Sequence, residues 1–320
     1  MNILVTSVGK RVSLIKIFQK ELQQIFSQGK IFTTDVSPLM TPAGYVSDNC
    51  FPVPKVTSQD YLSELLNISL ENKVGLIIPT IDTELLILAR NKKTFEEKGI
   101  HIVVSDESFI KVCRDKRLTN SFFKQYDISV PKELDRNMLE YPCFAKPYDG
   151  SSSKDIHIIG SKMDLTTDVL NNPKLMFMEL IDVKKYKEYT LDMYYGRDNL
   201  LKGIVPRERI EVRAGEINKG YTRKNEIVNF LKERLYFLPG VVGCICMQLF
   251  FDKVSKQIIG IEINPRFGGG FPLSYYAGAN YVSNIIKEYC LNETITYSDE
   301  WRDNTLMLRF DDEIIVYDQK

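Results

Sequence analysis

The chain predicts two fold classes in succession: an α/β domain with a parallel sheet, then a larger α+β region. Three observations carry this. The first third alternates short apolar runs with amphipathic stretches over short links, the pattern of parallel strands covered by helices on both faces. After Asp106 the segments shorten and alternate with period two. From Val241 onward, two apolar runs flank a polar turn at 253–257, which predicts an antiparallel hairpin.

In order, residues 3–6 read as a strand, Gly9 as a turn and 12–26 as an amphipathic helix. A second strand at 31–34 ends at Asp35. Residues 61–70 read as a helix, 74–79 as a strand, 83–98 as a helix and 100–105 as a further strand. Ligands of such sheets collect beyond the carboxyl ends of the strands. Arg11, Asp35, Asp82 and Glu84 lie there and are candidates for part of a substrate pocket, although polar residues at strand ends also cap helices. Residues 111–126 form a helix candidate, and Pro131 stops anything helical beyond. Strand segments follow at 143–146, 156–159, 176–180 and 189–195. Residues 306–317 alternate like a closing strand pair.

Composition narrows the function. Forty-two Lys and Arg balance 42 Asp and Glu among 320 residues. A zero balance argues against a general nucleic-acid binder, which needs surplus cations. No apolar stretch approaches the roughly 20 residues of a membrane span, and the opening MNILVTSVGK reads as a strand rather than a signal peptide. Six scattered cysteines give no disulfide framework and point to a reducing, cytoplasmic setting. With only His101 and His157 beside them, a zinc site is poorly supported.

The hairpin carries the chemistry. Alternation puts Glu262 and Asn264 on one face, and a turn centred on Ser255 sets Gln248 directly across from Glu262. Gln248, Glu262 and Asn264 then form an oxygen-ligand cluster with one formal charge, which suits Mg²⁺ (or Mn²⁺) shared with phosphate oxygens. Arg266 follows at once as a fixed cation, with glycines at 268–270 leaving the backbone open to an anion.

With E-I-N-P-R-F at 262–267 and Gln248 on the preceding strand, the chain resembles the ATP-grasp superfamily, most closely its carbamoyl-phosphate synthase-like and carboxylate–amine ligase branch. The resemblance implies a Rossmann-like pre-ATP-grasp domain at 1–112, a small ATP-grasp subdomain at 113–183 and a large one at 184–320, clasping ATP. Asp115-Lys116 is similar to the segment whose lysine contacts ATP phosphates. Residues 141–147, ending Lys146-Pro147, resemble the strand bearing a second phosphate-binding lysine, and a lysine closing an apolar run must leave the sheet toward something anionic. Asp149, Gly150, Ser151, Ser152 and Ser153 resemble the loop that closes over the phosphates, with fewer glycines than the commonest pattern.

Residues 178–181 look like the adenine hinge, which makes Glu179, Leu180 and Ile181 nucleotide contacts, and Glu188 matches the ribose-binding glutamate. In 206–220, Arg207, Arg209, Arg213 and Lys219 resemble basic residues facing the triphosphate or acceptor, a charge-rich solvated loop being the other reading. The implied activity is ATP- and Mg²⁺-dependent activation of a small-molecule carboxylate as an acylphosphate, stabilised by Arg266 and Lys146, and its coupling to an amine. The alternatives are carbamoyl-phosphate synthase-like phosphorylation of a carboxylate or carbamate, and a non-catalytic ATP-binding regulator. No nucleic-acid or membrane partner is expected, and a homodimer is the default assembly.

Overall fold

The protein is described by a computed structural model covering residues 1–150 and 155–317. Its N-terminal domain contains β1 (Asn2–Thr6), α1 (Val12–Ile25), β2 (Lys30–Asp35), α2 (Pro42–Val46), β3 (Asn49–Pro52), α3 (Tyr61–Glu71), β4 (Val74–Ile78), α4 (Asp82–Glu96) and β5 (His101–Ile102). The five strands run parallel in the order β3-β2-β1-β4-β5. Each face is covered because alternate side chains serve different cores. Ile3, Val5, Leu76 and Ile78 pack with α1, while Leu4 and Ile77 pack with α3 and α4. The strand order reverses between β1 and β4, so the residues following those two strands border a crevice. Arg11 follows β1 and Asp82 follows β4.

Two helices, α5 (Glu107–Arg114) and α6 (Lys116–Gln125), lead into the second region. The single helix expected at 111–126 is therefore two. Asp115 is extended (φ −112°, ψ 113°), and its carboxylate accepts from the Arg117 amide at 2.9 Å, capping a new helix start. A three-stranded antiparallel sheet follows: β6 (Cys143–Pro147) lies between β7 (His157–Ile159) and β8 (Leu175–Glu179), with α7 (Thr167–Asn171) in the connection.

The largest sheet comprises β9 (Lys187–Tyr195), β10 (Leu201–Arg213), β11 (Glu216–Thr222), β12 (Gly243–Phe251), β13 (Ile258–Asn264) and β14 (Leu306–Leu308), in the order β13-β12-β9-β10-β11-β14. Around it are α8 (Glu226–Arg234), α9 (Phe271–Ala277) and α10 (Tyr281–Cys290). No helix among the described residues is long and apolar enough to cross a membrane.

Three expectations are corrected. The strand expected at 100–105 shrinks to His101–Ile102, because the Asp106 amide bonds the Gly240 carbonyl and the Ser105 hydroxyl accepts from Val242, turning the run onto the second region. Residues 206–220 are an antiparallel hairpin rather than a solvated loop. Ala214 and Gly215 hold φ of +50° and +78° at its tip, the left-handed pair a tight hairpin needs. Of the closing pair expected at 306–317, only Leu306–Leu308 is a strand. Beyond it the Arg309 side chain turns to Glu216 and the Gly269 carbonyl, and Ile314, Ile315, Val316 and Tyr317 are exposed.

Candidate active site

Strand register builds the site. Arg207 on β10 faces Thr190 on β9, Thr190 faces Gln248 on β12, and Gln248 faces Glu262 on β13. Paired residues share a face, so these four side chains form one row across four strands. Two residues along, Asp192, Cys246 and Asn264 make a second row on that face. A bulge between Gln248 and Leu249 in the β12–β13 ladder lets Leu249 pair with Gly260, one residue out of step with the Gln248–Glu262 pair. Without that extra residue Gln248 would oppose Ile261 and the acid would face the other way.

Glu262 Oε1 accepts from Gln248 Nε2 at 2.8 Å and from Asn264 Nδ2 at 3.0 Å. Among the described residues no three His, Cys, Asp or Glu groups are placed to hold a metal ion. The cluster is instead one carboxylate flanked by two amides, whose oxygens face it when the amides turn. This hard, oxygen-only set with a single charge fits a magnesium ion that keeps water and phosphate ligands.

The opposite wall comes from α6 and the small sheet. The Lys116 amide donates to the Tyr148 carbonyl at 2.9 Å, and its Nζ donates to the Gly150 carbonyl at 2.5 Å, tying the helix start to the end of β6. Burial lowers the Lys116 ammonium below the usual lysine range and takes Lys146 down to about 8. For both lysines Glu262 is the strongest opposing influence, which places two sparsely solvated cations around one carboxylate.

These walls enclose a cavity of about 1000 Å³. Lys116, Lys146, Gly150, Glu179, Leu180, Ile181 and Glu188 line it, as do Gln248, Glu262 and Asn264. Glu179 Oε1 already accepts from the Lys132 amide at 2.7 Å. Glu188 pairs with Arg209 at 3.3 Å; burial raises its carboxyl, and the guanidinium opposes that. Ser151, Ser152 and Ser153 lie outside the described residues. Arg11, Asp82, Arg207 and Arg266 line the same cavity.

Four candidates stand away from the cavity. Asp35 accepts from the Gly9 amide at 3.0 Å and shapes the β1–α1 turn. Glu84 is fully buried and accepts from the Thr80 and Ile81 amides, the Ser7 hydroxyl and the Tyr61 hydroxyl, so it caps α4. Lys219 pairs with Glu211 at the surface, as Arg213 does with Asp311.

Sequence reasoning missed the support beneath Arg207. Its side chain is 1% exposed and is held by Asp192 through Nε–Oδ2 and Nη2–Oδ1 contacts of 2.9 Å each, while Ser274 Oγ donates to Asp192 at 2.6 Å. The signal was available: Glu188, Thr190 and Asp192 alternate along β9 and so share a face.

A parallel-sheet domain is followed by two antiparallel sheets and a lysine–carboxylate cleft, and two family models match parts of this chain. Residues 171–307 match the family described as ATP-grasp in the biosynthetic pathway with Ter operon, and residues 3–103 match the PylC-like N-terminal domain. Over those residues the chain is similar to these two families.

Among solved structures it is similar to the biotin carboxylase of Campylobacter jejuni in complex with β,γ-ATP (TM-score 0.72, 10% identity, 95% of this chain and 74% of that one). It is also similar to N5-carboxyaminoimidazole synthetase of Staphylococcus aureus complexed with ADP (0.68, 18%, 96% and 79%). A third likeness is the biotin carboxylase domain of Hydrogenobacter thermophilus 2-oxoglutarate carboxylase, solved with MgADP, ADP and bicarbonate (0.70, 14%, 95% and 73%). No curated protein sequence matches the chain.

Proposed function

We propose that the chain is an ATP- and magnesium-dependent ligase that activates a carboxylate and couples it to an amine. The observation that carries this reading is the convergence of Lys116 and Lys146 on Glu262, with the Gln248 and Asn264 amides on the same carboxylate. Such an arrangement is electrostatically matched to a metal-bound triphosphate and to little else. The printed names of the similar structures, carboxylases and a synthetase solved with adenine nucleotides, support it.

In this reading Glu262, Gln248 and Asn264 would hold a magnesium ion, which when bound would supply positive charge to a bound polyphosphate. Lys116 and Lys146 take up the remaining negative charge from the opposite wall, where burial strengthens each interaction. Glu188 accepts from the ribose hydroxyls, and the hinge at 178–181 meets the adenine. The carboxylate oxygen takes the γ-phosphoryl group and ADP leaves. Arg266 steadies the developing charge on that acylphosphate, and an amine then attacks the acyl carbon and displaces phosphate. No side chain acts as a covalent nucleophile: Cys246 in the cavity is pushed up to about 11 by burial and stays a thiol.

A phosphate-release screen of carboxylates against amines, with ATP and Mg²⁺, tests the reading. Release that needs both a carboxylate and an amine supports it. Release with a carboxylate alone favours phosphorylation without coupling, and Glu262→Gln should silence either.

A further inference from the structure

The outer strands of the antiparallel sheets are not equivalent. Beside β13 the Gly260 amide donates to the Ser129 carbonyl at 2.8 Å, and beside β8 the Glu179 amide donates to the Lys132 carbonyl at 2.9 Å. Segments 128–130 and 132–134 thus cover those two edges. β14, at the other end of the six-stranded sheet, has β11 on one side and no strand on the other among the described residues. The Arg309 amide donates to the Asn218 carbonyl, and the Thr305 carbonyl accepts from the Thr222 amide, both at 3.0 Å. In an antiparallel ladder alternate residues turn both backbone polar groups to the same side, so 305, 307 and 309 face β11. The N–H and C=O groups of Leu306, Leu308 and Phe310 therefore point off the sheet edge.

The side chains of those three residues form a row. Arg309 turns to Glu216 and the Gly269 carbonyl, both on the cavity wall, so the even-numbered side chains take the opposite face. There Leu306, Leu308 and Phe310 are 44%, 60% and 82% exposed. Open edges are ordinarily guarded by charges, proline or a bulge, and the three positions carry neither charge nor proline. The row is complementary to itself. Opposed to its own copy, even positions against even, a register centred on Leu308 sets Leu308 against Leu308 and Leu306 against Phe310. The neighbouring registers put Phe310 against Asn304, or Arg309 against Arg309 and Leu306 against Asp312. In the favoured one Asp303 next meets Glu313, and like charges end the ladder there. The chain has no net charge to hold two copies apart.

We propose that the free edge of β14 is a homodimer interface, on which a second copy of this chain adds antiparallel about a two-fold axis at Leu308. The two six-stranded sheets then run on as one sheet of twelve. The same patch serves both copies: backbone groups of 306, 308 and 310 close the ladder, and the apolar rows cover each other. This surface is separate from the cavity and does not depend on the ligase reading. It does bear on the site, because Arg309 sits in the paired strand and holds Glu216 and the glycine run of the cavity wall. A contact through one short strand falls at the small end of stable interfaces, which bury roughly 800 Å² per partner. Dissociation at micromolar concentration is therefore expected.

The test is sedimentation velocity of the full chain from roughly 1 to 200 μM, a span that brackets micromolar dissociation. Monomer is expected to give way to dimer and to nothing larger. Leu308→Lys sets two like charges on the axis and should weaken the dimer by about tenfold or more. Val254→Lys, at an apolar position 92% exposed on the β12–β13 turn, should leave it unchanged. Both positions are exposed, so unaltered melting of the two variants separates pairing from folding. Mild oxidation reads the register. Leu308→Cys lies opposite itself, within disulfide reach, and should cross-link. Leu306→Cys lies four residues out of step with its mate, roughly 13 Å along the strand, and should not. A chain that stays monomeric throughout overturns the proposal and leaves the edge to another protein's strand. A dimer indifferent to Leu308→Lys, equal cross-linking of Leu306→Cys and Leu308→Cys, or growth beyond the dimer would overturn it as well.

Discussion

Arg266 Nη2 donates to Asp82 Oδ2 at 2.8 Å, joining the end of the β12–β13 hairpin to the first residue of α4 across 184 positions of sequence. Both side chains are mostly buried, 16% and 17% exposed, so the pair is weakly screened. Removing the acid leaves the Arg266 guanidinium beside Arg11 without its ion-pair partner. Asp82→Asn keeps the shape and a neutral acceptor, and should cost about 1–3 kcal/mol of stability. It should also cut turnover of the carboxylate–amine pair while sparing ADP affinity. Denaturant unfolding and ADP titration check this; wild-type stability in the variant would show that the two regions are held together by something else.

The metal cluster makes a separate prediction. Mg²⁺ should tighten ADP binding to the wild-type chain, and Glu262→Gln should remove that gain, because Gln248 and Asn264 alone offer only neutral oxygens. Gln248→Ala and Asn264→Ala should keep part of it. The measurement is ADP affinity with Mg²⁺ and with chelator, and a magnesium effect that persists in Glu262→Gln would move the cation elsewhere.

A pH dependence follows from Lys146. Burial sets its ammonium near 8 in the nucleotide-free protein, and Glu262 holds it from falling further. On the proposed reading the protonated form is the one that binds phosphate, so ADP affinity should be steady below about pH 8 and weaken above it, approaching one decade per pH unit. Stability runs the other way. The unfolded chain keeps the higher lysine value and binds more protons between the two values, so this group adds stability as pH rises from about 8 toward 10.5. Lys146→Arg stays charged throughout and should flatten the alkaline limb. Glu262→Gln should move that limb to lower pH, and an unmoved limb would show that the two groups are not coupled.

The hairpin was legible because its chemistry and its alternation coincide. Gln248, Glu262 and Asn264 stand two residues apart or directly opposed, and period-two geometry alone assigns their face. The β10–β11 hairpin was hidden for the opposite reason. Charged residues fill both faces of 207–219, yet Arg207 and Glu208 are buried because neighbouring strands and Asp192 and Arg223 satisfy them. Those partners are remote in the chain or lie on other elements, and no local pattern reports them. Glu84 and Asp35 show a further limit. An acid at a strand end is equally suited to a ligand and to backbone amides, and here the amides take both.

The glycines after Arg266 supply the last prediction, since their absence of side chains is a matter of space rather than of backbone angle. A Cβ on Gly270, which has φ −91°, would lie 1.9 Å from Arg207 Nη1 and 2.3 Å from Ile217 Cγ2. Arg207 is held in the sheet by Asp192, which accepts from its Nη2 at 2.9 Å and lies 2.9 Å from its Nε. Gly9 is the reverse case: nothing lies within 4 Å of its Cβ position, but its φ of +48° disfavours any side chain. Gly270→Ala should therefore cost about 1–3 kcal/mol through overpacking and disturb the Arg207–Asp192 pair. Gly9→Ala should cost about 1 kcal/mol through backbone strain alone. Adding Arg207→Lys should recover part of the loss in the first variant and none in the second. Equal penalties, or no recovery, would mean that the glycine run is tolerant and that Arg207 has room to move.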